Sequence, residues 1–304
     1  MPPKIKFILN PTCNHGRSLR VAADLRPLMA EHHADWSGTE YPGHAIELAR
    51  QAGEQGYDLV IAGGGDGTVH EVINGLMQVP EKKRPALGIV PLGSGNDFAH
   101  ILGIPDDAAQ ALKSAMDGSP HLLDVAQVRD QDDRIEYFNN TIGIGFDGVV
   151  TIRSRKITRI HGFMMYLVAV IQTIVLNFRP MNLHVETDQE QWDQPTIMLT
   201  LGNGPREGGG FMVTPEAKYD DGILNYASVR KLSRLMMFRL IPEVMKGTHG
   251  RFKQVRMGTC RTMAVTSDVP LYIHCDGEIY AGFGVDVRQL NIEIKPSAIH
   301  FMKA

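Results

Sequence analysis

The sequence predicts an α/β amino-terminal domain followed by a domain of antiparallel strands, and three patterns carry that prediction. From Lys4 to about Ile101, short apolar runs alternate with amphipathic stretches, as in repeated βα units around a parallel sheet. After about Leu123 the chain turns to short alternating strands set off by turn clusters, such as HLLDVAQV, RDQDDR and IEYFNNTIGIGF. Two glycine-rich loops, GGGDGT and PLGSGND, each follow an apolar run and open a helical stretch. At 304 residues the chain is long for a single domain.

In the first half, KIKFILN, Asp58–Ala62 and Ala86–Gly93 read as strands. SLRVAADLRPLMAEHH, GHAIELARQAGEQG and TVHEVINGLM carry apolar residues at helical spacing, with Pro27 weakening the first. Further strands are expected at NLHVET, TIMLTLGN, ILNYASV, RTMAVTS, LYIHCDG and VDVRQLNIEIK. Ile152–Phe178 and Lys231–Lys246 interrupt them as helical, basic and apolar stretches. No internal repeat or low-complexity tract is present. The domains are drawn at 1–124 and 125–291, with 292–304 expected to pack back on the first.

The balance of charge, net −3 with 21% charged residues, argues against nucleic acid as a partner. Three cysteines without a CxxC pair suggest neither a disulfide framework nor a zinc site, and a reducing cytoplasm fits best. The start MPPKIKFILN lacks the pattern of a signal peptide. The longest apolar run, Phe163–Phe178, falls short of the roughly 20 residues that span a bilayer, so no transmembrane segment is expected.

GGGDGTVHEVINGL sets a problem of charge. An Asp-Gly pair between apolar runs can be a hairpin turn, but Val69, Val72, Ile73, Leu76 and Met77 recur at helical spacing, so the loop joins a strand to a helix. Thr68 followed by Glu71 reads as a capping box and starts that helix at Thr68. Backbone N–H groups and the helix dipole then converge on one point, a place for phosphate. GxxxxGK[ST] is absent and neither Gly63 nor Gly65 starts a complete GxGxxG, which argues against a P-loop or a dinucleotide fold at this loop. Asp66 is reconciled with phosphate if it reaches Mg²⁺, directly or through water. PLGSGNDF, with Asp97, reads as the facing wall, since two such loops at the carboxyl ends of parallel strands lie where ligands bind.

GGGDGTVHEVINGL and PLGSGNDFA resemble the catalytic domain shared by diacylglycerol, sphingosine and ceramide kinases, nearest to the short bacterial lipid kinases. FILNPTCNHGRS, GTEYPGHA, NTIGIGFD, LGNGPREGGGFMVTPEAKYDDGIL and HCDGE extend the resemblance over nearly the whole chain. The resemblance implies a nucleotide domain like that of NAD kinases and phosphofructokinases, followed by an all-β sandwich that takes the lipid. It implies an ATP site lined by Asn10, Pro11, Thr12, Cys13, Asn14, Thr39, Gly64, Gly65, Asp66, Gly67, Thr68, Glu71, Ser94, Gly95 and Asn96. Where the family usually has a Ser-Gly pair, this chain has Cys13-Asn14-His15-Gly16.

Phosphoryl transfer needs a positioned γ-phosphate, neutralised charge and an acceptor hydroxyl that loses its proton. The expected Mg²⁺ acids are Asp66, Asp97 and Asp124, although Asp124 reads equally well as a solvated strand residue from its pattern alone. DGE between strands is usually a plain turn; the resemblance makes Glu278 the base, with Asp276 orienting it or helping to hold metal. The resemblance also implies a structural Mg²⁺ at Asp221 with the backbone oxygens of Lys218 and Ile223. The twelve histidines show no ligand spacing, and the fifteen methionines read as core filler.

IRSRKITRIHGFMMYL and VRKLSRLMMFRLIPEVMKGTHGRFKQVR combine cations with large apolar residues, which suits an anionic membrane surface as well as a solvated helix face over core. The expectation is therefore an ATP- and Mg²⁺-dependent kinase of a lipid hydroxyl, diacylglycerol first. It would be cytoplasmic, peripheral on the inner membrane face and able to form a homodimer. The alternatives are a sphingoid base or another glycerolipid as acceptor, an NAD kinase, and a non-catalytic nucleotide or lipid sensor.

Overall fold

A computed structural model describes residues 2–157, 160, 162–176 and 179–304. The chain divides into two compact units, 1–124 with 297–304, and 125–296.

In the first unit, β1 (Ile5–Leu9), β2 (Asp35–Gly38), β3 (Leu59–Gly64) and β4 (Ala86–Pro91) form a parallel sheet in the order β2-β1-β3-β4. Helices α1 (Arg17–Glu31), α2 (His44–Glu54), α3 (Asp66–Met77), α4 (Asp97–Ile101) and α5 (Ala108–Asp117) connect and cover it. β3 and β4 are apolar throughout because both faces are covered; Phe7, Ile61 and Val90 pack with Leu25 and Leu112 in one core. Phe301, near the end of the chain, pairs in parallel with Leu87 of β4.

Two local expectations change. The first helix runs through Pro27, which faces solvent, where water can take the carbonyl that proline leaves unbonded. The capping box at Thr68 does not form: α3 starts at Asp66 with Gly65 as its N-cap, and the Thr68 hydroxyl accepts a hydrogen bond from Asn10 Nδ2 at 3.2 Å. Glu71 instead accepts the Gly43 and Ala45 N–H groups at 2.9 and 3.2 Å, so its charge serves the positive end of α2.

The second unit carries β5 (Ser119–Asp130, entering from the first), β6 (Ile135–Phe138), β7 (Thr141–Gly145), α6 (Phe146–Ser154), α7 (Gly162–Leu176), β8 (Met181–Thr187) and β9 (Gln191–Gly202). It continues with β10 (Leu224–Arg230), α8 (Arg234–Met245), β11 (Val255–Cys260), β12 (Thr262–Ser267), β13 (Ile273–Cys275), β14 (Glu278–Ala281) and β15 (Gln289–Lys303). The antiparallel order is β14-β13-β7-β9-β8-β12-β15, with β10 on β9 and β11 beside β10. One core, with Ile144, Val185, Leu201, Tyr226 and Val265, fills the sandwich. A second, with Ala169, Ile174, Ile197, Met198 and Leu240, seats the helices on the strands. The stretch expected as one helix over Ile152–Phe178 is the end of α6 followed by α7, and Thr158, Arg159, His161, Asn177 and Phe178 lie outside the described residues.

Candidate active site

The glycine loops leave the ends of two adjacent strands. Gly64 pairs with Pro91, and the Leu92 N–H donates to Gly64 O at 2.8 Å. Beyond that point the two backbones nearly touch: a Cβ on Gly93 would lie 2.5 Å from the Gly65 Cα. Asp66 opens α3 and its Oδ1 accepts the Phe98 N–H of α4 at 3.0 Å, so one carboxylate spans both loops. Asn96 takes a left-handed φ of 53° and bonds Gly93 through both ends of its amide, at 3.0 and 3.1 Å. Gly93→Ala is expected to lower stability by about 1–3 kcal/mol through overpacking against backbone. Denaturant unfolding checks this, and a stability equal to the parent's would show that the loops can part.

The β1 end joins the same place. The Asn10 N–H donates to Gly63 O at 2.9 Å, and its side-chain oxygen accepts the Thr12 N–H and hydroxyl at 3.1 and 2.9 Å. The Thr39 N–H, just past β2, donates to Leu9 O at 2.8 Å. Burial pushes the Cys13 thiol up, against the N–H groups of Gly65 and Asn14, and the Asp66 charge adds to the rise. The thiol beside the loop is therefore held neutral. Asn10, Thr12, Cys13, Gly65, Asp66, Thr68, Gly93 and Asn96 are thus brought together, with Pro11 and Asn14 in the same turn and Ser94 and Gly95 exposed at the loop's tip.

The other expected metal acids are used locally. Asp97 is buried in the first turn of α4. Asp124 is buried and accepts the Ser297 N–H at 2.6 Å, tying the returning end of the chain to the first unit. Among the described residues, Asp66, Asp97 and Asp124 do not form a group of three with ligand atoms within 4.8 Å of one another. The oxygen donor of Asp66, set against a cradle that any Cβ would fill, suits a hydrated magnesium–phosphate group reached from one side.

In the second unit, Cys275 pairs with Glu278 across a two-residue turn in which Asp276 and Gly277 have φ of 51° and 82°. Both central residues are left-handed, the requirement of a type I′ hairpin. DGE is thus the plain turn its composition suggests, yet it aims Glu278 outward at the head of β14. Asp276 accepts the N–H groups of Asn139, Asn140 and Thr141 at 3.0, 2.8 and 3.0 Å. Those three donors make it an anchor for the turn. Glu278, partly exposed, accepts a hydrogen bond from Arg155, which also donates to Gly277 O at 3.0 Å. Asp221 lies exposed in the loop before β10, its Oδ1 accepting the Ile223 N–H at 3.1 Å.

Sequence reasoning missed a buried polar cluster. Asp147 at the start of α6, Glu207 after β9 and His274 on β13 bring ligand-type atoms within 4.8 Å of one another. Tyr166 of α7 sits between the carboxylates, its hydroxyl 2.7 Å from Asp147 Oδ1 and 2.9 Å from Glu207 Oε1. Thr200 donates to Asp147 Oδ2 at 3.0 Å and Thr141 to Glu207 Oε2 at 2.7 Å. Burial pushes both carboxyls up. At Asp147 the His274 imidazole and the hydrogen bonds oppose burial and hold the carboxyl below its usual range, whereas at Glu207 burial and then the Asp147 charge raise it above its usual range. Burial disfavours a charged His274 imidazole while the two carboxyls favour it, up to about 9. However, its Nδ1 accepts the Gly277 N–H at 3.2 Å, which opposes a proton there; we assign the imidazole proton to Nε2, 3.3 Å from Asp147 Oδ2. A protonated Nε2 offers no lone pair to a metal, so this donor set does not fit an ion. Beside the cluster, Phe146, Val170, Ile174, Met198, Phe211 and Leu240 line an apolar cavity of about 60 Å³, with Asp147, Tyr166 and Glu207 at its polar end. No spacing signal could have found this cluster, since its members lie far apart in the chain and only packing unites them.

Residues 4–128 match the diacylglycerol kinase catalytic domain, and residues 140–303 match the YegS C-terminal NAD kinase beta sandwich-like domain. A probable lipid kinase YegS-like protein of Chromohalobacter salexigens is 39% identical over 71% of this chain and 68% of its own length. A diacylglycerol kinase of Staphylococcus saprophyticus is 28% identical over 93% and 90% of the two chains. A crystal structure of diacylglycerol kinases from Bacillus anthracis superposes with a TM-score of 0.72 at 21% identity, covering 99% of this chain and 97% of that one.

Proposed function

Because the chain belongs to the YegS-like and diacylglycerol kinase family of lipid kinases, we propose that this lipid kinase transfers the γ-phosphoryl group of ATP to a lipid hydroxyl, with diacylglycerol the first acceptor. The observation that carries the nucleotide half is Asp66 spanning two glycine loops whose backbones nearly touch. Such a turn offers backbone donors to phosphate, and an acid beside a bound phosphate is favourable only when a divalent ion stands between them. Asn10, Pro11, Thr12, Cys13, Asn14, Thr39, Gly64 to Thr68 and Ser94 to Asn96 would contact the nucleotide. Asp66, with Asp97 and Asp124 through water, would hold the Mg²⁺. That ion supplies neutralisation of phosphate charge.

On the acceptor side Glu278 takes the hydroxyl proton, and the apolar cavity of the second unit receives hydrocarbon. Diacylglycerol as acceptor follows the name of the Staphylococcus relative; a sphingoid base or another glycerolipid is the second reading. Asp221, with the Lys218 and Ile223 carbonyls, is a structural Mg²⁺ site in the same proposal.

Incubation with labelled ATP, Mg²⁺ and a panel of dispersed lipids is expected to label diacylglycerol. Labelling of NAD alone would overturn the proposal.

Membrane contact has its own support. Leu235 of α8 is 81% exposed, with Phe238 and Met245 also exposed, and Met164, Val175 and Leu176 of α7 are exposed as well. Over 231–253, Lys231, Arg234, Arg239, Lys246, Arg251 and Lys253 stand against one acid, Glu243, in a chain of net charge −3. No helix among the described residues is long and apolar enough to cross a membrane, so the expected contact is peripheral. Vesicles containing anionic phospholipid should bind the protein, and Leu235→Glu with Phe238→Glu should weaken binding at least about tenfold, given the apolar burial lost. Equal flotation of the parent and the double variant would exclude α8 as the contact.

A further inference from the structure

The cluster of Asp147, Glu207, His274 and Tyr166 has a proton inventory that the bond lengths dictate. Tyr166 owns one hydroxyl proton and stands within hydrogen-bond distance of two carboxyl groups, at 2.7 Å from Asp147 and 2.9 Å from Glu207. It can donate to only one of them, so the second contact needs a proton supplied by a carboxyl. Asp147 is the ionised partner, since it gathers the Tyr166 and Thr200 hydroxyls and faces His274. The proton then belongs to Glu207, which donates to the Tyr166 oxygen through Oε1 and accepts from Thr141 through Oε2.

The chain of contacts has two ends. One is α7, which bears Tyr166 and forms part of the cavity wall through Val170 and Ile174. The other is the hairpin turn bearing Glu278, reached through His274, whose Nδ1 accepts the Gly277 N–H. We propose that Glu207 is a positioning residue held as a neutral carboxylic acid, and that its proton couples the α7 wall of the acceptor cavity to the turn carrying Glu278. This rests on the acceptor-side reading given above. Glu207 does not touch the reacting atoms and acts through Tyr166, Asp147 and His274.

Loss of that proton would remove the donor to Tyr166 and set a second negative charge beside Asp147. The titratable groups facing Glu207 are Asp147 from α6, Tyr166 from α7 and His274 from β13, and Asp276 acts on His274 in turn. Tyr166 is pushed well above the usual phenol range by burial and by both carboxyls, so it remains the proton donor to Asp147. For Glu207 the folded-state value of about 8 lies above the ordinary 4.5, a rise caused first by burial and then by the Asp147 charge. Its contribution to stability is therefore full below the ordinary value and is lost as pH rises through the folded one.

The test uses the whole chain and Glu207→Gln, whose amide can donate to Tyr166 and accept from Thr141 but cannot ionise. Hydrogen exchange of residues 162–176, corrected for the intrinsic rate, should accelerate between pH 7 and 9 in the parent and stay level in the variant. With diacylglycerol as acceptor, kcat/KM of the parent should fall about tenfold per pH unit above that range. The variant, normalised to its own plateau, should lack this limb. Infrared difference spectra of the parent should show a buried protonated carboxyl at pH 7 that disappears by pH 9.5, which needs no variant.

Absence of that band, or the same basic limb and the same exchange in Glu207→Gln, would overturn the proposal. If no lipid is phosphorylated at any pH, the acceptor reading fails on its own, and exchange and infrared spectra still decide the role of Glu207.

Discussion

Asp66→Ala is expected to abolish lipid phosphorylation, with kcat falling at least about 10³-fold. The magnitude follows from what the residue does in both loops. Removing a single preorganised electrostatic group from a charge-transfer site costs about 10²–10³ in rate, and Asp66 also accepts the Phe98 N–H that fixes the second loop. Loss of that bond would cost about 1–3 kcal/mol of stability by itself. Asp66→Asn separates the two effects, because its amide oxygen still accepts from Phe98 while the charge is gone. The expected result is a folded Asn variant that remains inactive and whose ATP binding no longer responds to Mg²⁺. Turnover of Asp66→Asn at the parent rate would show that the carboxylate charge has no part in phosphoryl transfer.

Glu278→Gln is expected to lower kcat by about 10²- to 10⁴-fold, equivalent to roughly 3–5 kcal/mol of barrier. The change should leave the fold intact, since the turn is held by Asp276 and by the left-handed backbone of Asp276 and Gly277. KM for ATP should change little if Glu278 serves only the acceptor hydroxyl. The Arg155 contact helps to orient Glu278, so Arg155→Ala should also slow the reaction, but by less. Steady-state rates with a dispersed lipid acceptor check both, and a Gln variant within about threefold of the parent would remove Glu278 from the chemistry.

Much of the candidate site was legible because its signals are local. The step from strand to helix at Asp66 showed in the spacing of Val69, Val72, Ile73 and Leu76, and the second loop showed in Gly93, Gly95 and Asn96. The capping box failed for a tertiary reason: Glu71 had a better partner in the N-terminus of α2, which the spacing within α3 could not reveal. β2, β11 and β14 were not foreseen as strands. DWSG and VRMGTC lack clean alternation, and EIYA is too short for its pattern to speak. The partners of Asp276 were not legible, since its three backbone donors come from Asn139, Asn140 and Thr141, far from it in the chain.

The sequence by itself determined the split into an α/β part and a β-rich part, the two glycine loops and the turn that carries Glu278. Each of these is set by neighbours in the chain, through residue period, glycine and the chemistry of short turns. Only the tertiary structure decided that Asp147, Tyr166, Glu207 and His274 meet in one buried cluster and that Glu207 carries a proton there. Protonation depends on distance, burial and the charge of groups that folding brings together, and none of these is written in the spacing of residues along the chain.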